Sequence, residues 1–145
     1  MKFKVKRDTS FTLLMIIILI IVDSIIFIPT FFVDDHTSWD WMALVLIAFL
    51  TTAFLIWIWA DIRYEMREDY LFVKGGPFRS RIAYNDITRI TMSKNIWFGY
   101  RLLASMDAIE IHYKTGLLGS VKISPEEREV FIEELKKRNP SIKVG

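Results

Sequence analysis

Two stretches near the start of the chain hold almost no polar residues. Phe11–Val33 is apolar apart from a few hydroxyls and Asp23, and Trp41–Ala60 carries no charge. Each exceeds the roughly 18 apolar residues needed to cross a hydrocarbon core of about 30 Å. A backbone in lipid must satisfy its own hydrogen bonds, so both runs are expected to be membrane-crossing helices. Pro29 is expected to kink the first near its outer end. Beyond Asp61 the pattern turns to alternation. Ile62, Tyr64 and Met66 alternate with Arg63, Glu65 and Arg67, and further strands are expected over 70–74, 79–84, 87–92, 108–113 and 117–123. Gly75-Gly76-Pro77 and Lys114-Thr115-Gly116 supply turns. Ser124-Pro125-x-Glu127 reads as a capping box opening a final amphipathic helix, and Pro140 stops it.

The expected organisation is a basic N-terminus over 1–10, a helical hairpin over 11–60 and a folded domain over 61–145. The hairpin comprises helices over 11–33 and 41–60 and an outer loop over 34–40. The fold class is α+β: a two-helix transmembrane hairpin, then a small antiparallel β-barrel or sandwich capped by a C-terminal helix. Basic residues flank the hairpin, Lys2, Lys4, Lys6 and Arg7 before it and Arg63 and Arg67 after it, while the connecting loop holds three aspartates and no cation. The bias of Lys and Arg toward cytoplasmic loops therefore places both termini and the domain in the cytoplasm, with two spans in the cell membrane. Trp39, Trp41, Trp57 and Trp59 bracket the second run, as interfacial tryptophans do. The first run is longer than the apolar part of a signal peptide, and no small-x-small cleavage site follows it.

Composition narrows the function classes. The chain has 145 residues, a net charge of +2 and no cysteine. The charge gives no reason to expect a nucleic-acid partner, and a disulfide framework or thiolate zinc site is impossible. His36 and His112 stand in different settings, and no serine has a lysine three positions on to accompany Lys114-Thr115-Gly116. No cofactor, metal or catalytic residue is expected.

Three groups are candidates for binding. Asp23 lies near mid-span, where a carboxylate costs about 2.5–3.5 kcal/mol on insertion scales. Thr51 and Thr52 lie at a similar depth on the other run, and a hydrogen bond to either hydroxyl would clasp the hairpin; a polar contact with another membrane protein, or a proton relay, is the functional reading. Lys74, Arg79 and Arg81 flank the Gly-Gly-Pro turn, as cations flank a phosphate site, although an ordinary solvated hairpin carries such charges equally well. Trp97, Phe98, Tyr100 and Arg101 stand in a stretch too apolar for a free loop. Its alternatives are core over an open barrel end, a membrane interface, or anchors for a protein or peptide.

The segments Asp69-Tyr70-Leu71-Phe72-Val73-Lys74-Gly75-Gly76-Pro77-Phe78, Ile82 with Tyr84-x-Asp86-Ile87, Ser105-Met106-Asp107, Ile109-Glu110-Ile111-x-Tyr113 and Ile123-Ser124-Pro125 carry a resemblance. Together with Phe131-Ile132-x-Glu134-Leu135, they resemble the YyaB-like bacterial pleckstrin-homology-like family over 68–139. The resemblance implies the fold and an N-terminal membrane anchor; its motifs are turns, caps and core positions, and it transfers no site residue. The expected function is non-enzymatic recognition of a protein, peptide or anionic lipid at the inner membrane face. The alternative is a structural or accessory subunit of a membrane complex, for transport or peptide immunity, assembled through the helices.

Overall fold

The alternating segments build two open sheets around one shared core. The computed structural model describes residues 1–32, 35–93, 99–115 and 119–145. The first sheet has the order β1 (Lys2–Phe3), β2 (Arg63–Met66), β3 (Tyr70–Gly75), β4 (Phe78–Ala83). Leu71, Val73 and Ile82 face inward and are fully buried, while Phe72, Lys74, Arg79 and Arg81 face outward. The second sheet involves β5 (Ile87–Ser93), β6 (Arg101–Leu102), β7 (Ala108–Tyr113), β8 (Ser120–Ile123) and β9 (Lys143–Val144), in the order β6-β8-β7-β5-β9. Of the expected barrel or sandwich, the two open sheets exclude a closed barrel and leave a sandwich-like pair. The pairing is not wholly antiparallel either, because β6 on β8 and β9 on β5 run parallel.

Tyr64 joins the sheets from within. It is 1 % exposed, donates its hydroxyl proton to the Leu102 carbonyl and accepts from the Ser124 amide at 3.1 Å. Burial pushes its phenol up to about 12, so it stays a neutral donor.

The first eight residues are not a free basic tail. β1 pairs with β2, Val5 bridges Pro125 and Arg7 bridges Ala104, so the segment crosses from one sheet to the other. Phe3 inserts beside Phe131 with ring centroids 4.9 Å apart, edge to face. Phe131 belongs to α3 (Arg128–Arg138), which lies against the same core. The expected capping box fails here. Ser124 is fully buried four residues before α3 begins, and its hydroxyl accepts from the Ala104 amide at 3.0 Å and donates to the Lys6 carbonyl at 3.4 Å. A buried hydroxyl needs partners wherever the fold supplies them, and the crossing N-terminal strand supplies them first.

Two long helices leave the domain side by side. α1 spans Thr9–Phe27 and passes into a 3-10 turn over Ile28–Phe32 that contains Pro29. α2 spans Ser38–Ala60, starting three residues before the expected position because Thr37 and Asp40 form a reciprocal capping box. Both are long and apolar enough to cross a membrane, and only 6 % of the most apolar stretch of each is buried. A bare apolar surface of that extent is stable only in an apolar solvent or against a partner.

Neither helix is loosely tethered. Asp8, at the start of α1, accepts hydrogen bonds from the Ser105 hydroxyl and, at 3.0 Å, from the Met106 amide. At the other junction the Gly75-Gly76 turn rests on Ile58 of α2.

Candidate functional site

Antiparallel register puts directly opposed residues on one face, which defines the outer surface of the first sheet. One row reads Arg63, Lys74, Arg79; the next reads Lys2, Glu65, Phe72, Arg81. The first row lies beside the Gly75-Gly76 turn and therefore beside the end of α2. Arg67 adds a sixth cation, its guanidinium 5.0 Å from the Phe72 ring and 5.6 Å from Tyr70.

Electrostatics divides these cations. Asp61 holds two of them, with Lys74 Nζ at 2.5 Å and Arg63 Nη2 at 3.0 Å. The Lys74 hydrogen bond keeps the Asp61 carboxyl below the usual aspartate range. Glu65 meets Arg67 at 3.4 Å and Lys2 at 3.8 Å. Arg79 and Arg81 are exposed and make no ion pair with a described acidic residue; Arg81 lies 6.0 Å from the Tyr70 ring. Six cations against two carboxylates leave this face electropositive, with its unpaired charge concentrated on β4.

The remaining candidates fall elsewhere. The Tyr100 hydroxyl accepts from Ser80 at 3.2 Å, and Ser80 faces inward on β4, so Tyr100 is on the opposite side of the sheet from Arg79 and Arg81. Arg101 lines a cavity between the sheet and the helices. Trp97 and Phe98 lie outside the described residues. In the hairpin the Thr52 hydroxyl donates to Asp23 Oδ1 at 3.0 Å, whereas Thr51 bonds back to the Ile47 carbonyl at 2.8 Å. Among the described residues no group of three or more His, Asp or Glu side chains is placed to hold a metal ion.

Sequence reasoning omitted Arg63 and Arg67 from the basic group, although their alternation with Ile62, Tyr64 and Met66 already put them on one face. Lys2 gave no such signal, because its place depends on pairing with Glu65 across the whole hairpin.

The comparisons agree with this architecture. Residues 62–139 match the model of the bacterial PH domain family, a span that covers β2 through α3. The chain is also 31 % identical over 142 residues to an uncharacterized Bacillus subtilis protein, YyaB, covering 98 % of this chain and 95 % of that protein. No solved structure matches. With its C-terminal half on the family pattern and nearly its full length aligned to YyaB, the chain belongs to the YyaB-like bacterial PH domain family.

Proposed function

We propose that the protein is a non-enzymatic binding module anchored in the cell membrane, with both termini cytoplasmic, that recognises anionic phospholipid headgroups through the outer face of its first sheet. The observation that carries this is the placement of Arg63, Lys74 and Arg79 beside the end of α2. If α2 ends at the headgroup layer, that row stands at headgroup level. The Arg81 row follows two residues along the strand, about 7 Å farther and within one Debye length of the surface. Each cation so placed contributes about 1 kcal/mol of attraction to an anionic leaflet. Lys74 and Arg63 are partly neutralised by Asp61, so Arg79 and Arg81 carry most of the effect. The alternative, assembly through the helices, has less support, because Asp23 already has a partner in Thr52 within the hairpin.

The chain's lack of cysteine allows a single environment-sensitive dye at Ala83→Cys, on the outer face of β4. In nanodiscs, adding phosphatidylglycerol to phosphatidylcholine should shift the dye emission to the blue. High salt should reverse the shift, and Arg79→Glu with Arg81→Glu should abolish it. Identical emission in both lipids would contradict the proposal.

A further inference from the structure

An apolar cavity of about 220 Å³ lies where the hairpin meets the domain. Leu14 and Ile18 of α1, Leu55 and Ile58 of α2, Trp59 and Arg101 of β6 are among its walls. It is larger than the roughly 150 Å³ hydrocarbon-lined cavities that remain dry and take up benzene. Ile18 lies nine residues into α1, about 13 Å along the helix from its start. The cavity thus reaches from hydrocarbon depth to the sheet.

Its two ends differ chemically. The walls supplied by α1 and α2 are apolar, whereas β6 brings Arg101 to the lining on the domain side. The Trp59 indole N–H is buried and finds no acceptor among the described residues. A second cation is close by, with the Arg7 guanidinium 4.8 Å from the Trp59 ring centroid and donating to the Ala60 carbonyl at 3.0 Å.

We propose that this cavity holds one acyl chain of an anionic phospholipid from the inner leaflet. The chain lies between Leu14, Ile18, Leu55 and Ile58, and the phosphate lies on the Arg101 side, with Arg7 close by. The occupant follows from the polarity of the cavity: a tail at bilayer depth and a single negative head at the domain end describe a membrane lipid. This site is separate from the outer face of β4 and requires only that the helices cross the bilayer.

The test is native mass spectrometry of the full chain extracted in mild detergent with phosphatidylglycerol and phosphatidylcholine in equal amounts. The wild type should retain one phosphatidylglycerol per chain in preference to phosphatidylcholine. Arg101→Glu should lower that occupancy about tenfold or more. Ile18→Phe, which narrows the deep end, should lower retention of both lipids, and Lys136→Glu, at an exposed cation of α3 outside both sites, should leave the adduct unchanged. No adduct in the wild type, equal retention of the two lipids, or an undiminished adduct in Arg101→Glu would overturn the proposal. A chain found in the soluble fraction before extraction would refute the membrane crossing and the site together, whereas a membrane-bound chain without the adduct would refute the site alone.

Discussion

Removing the first seven residues is expected to destabilise the β-domain by on the order of 5 kcal/mol. The segment looks dispensable, being short, basic and terminal. Its Phe3 side chain nevertheless fills a site against Phe131, and truncating a buried phenylalanine costs about 3–5 kcal/mol. The Met66 amide would also lose the Met1 carbonyl at 2.7 Å, and the Ser124 carbonyl would lose the Lys6 amide that it accepts from at 2.8 Å. The buried Ser124 hydroxyl would lose the Lys6 carbonyl. Against the roughly 5–15 kcal/mol that holds a domain of this size, such a loss removes about a third of the stability or more. A domain with about 1 kcal/mol removed melts about 4–8 °C lower, so thermal melts of the truncated chain in detergent should fall by more than about 20 °C. Phe3→Ala alone should produce most of that fall, and Lys4→Ala, at an exposed position, almost none. An isolated 61–145 fragment as stable as the full chain would show that the strand crossing contributes nothing.

Gly76→Val should have the second-largest effect, and it acts at the other junction. Gly76 has φ +55°, and a Cβ there would stand 3.0 Å from the Ile58 Cα. Left-handed backbone costs an L-residue roughly 1–2 kcal/mol, and a β-branched one more. The obstacle is helix backbone, so relief requires the sheet and α2 to move apart. A loss of about 3 kcal/mol is expected, with new protease sensitivity at Asp61 and Ile62. Gly75→Ala is the informative comparison. Its Cβ would stand 2.5 Å from Leu102 Cδ2, the far end of a flexible side chain that can turn aside, and the Ile58 carbonyl is a comfortable 3.5 Å away. Equal melting temperatures for Gly76→Val and wild type would remove the turn from the account of how the domain is held.

The two junctions also explain which parts of the fold were legible in the sequence. Period-two alternation located β2, β3, β4 and β7, whereas in β5 the buried Ile87 and Ile90 are three apart because the register shifts between Ile87 and Arg89. β1, β6 and β9 span two residues each, too short for any period, and exist only because distant partners accept them. The Ser124 capping pattern misled for a related reason: a local motif was overridden by the demand of a buried hydroxyl and a crossing strand. The electropositive face was largely readable, since opposed positions on adjoining strands share a side. The separation of Tyr100 and Arg101 from Arg79 and Arg81 was not, because it depends on how one sheet lies over the other. The cavity at the junction was invisible in one dimension, its walls coming from three segments far apart in the chain.

Everything proposed for the outer face and the cavity depends on a double crossing that leaves the domain on the cytoplasmic side. Single cysteines at Asp35 and at Glu126, both exposed in a chain that otherwise has none, report this directly. A membrane-impermeant maleimide applied to intact cells should label Asp35→Cys at once and Glu126→Cys only after the membrane is permeabilised. Labelling of Glu126→Cys in intact cells, or recovery of either variant without the membrane fraction, would contradict that arrangement.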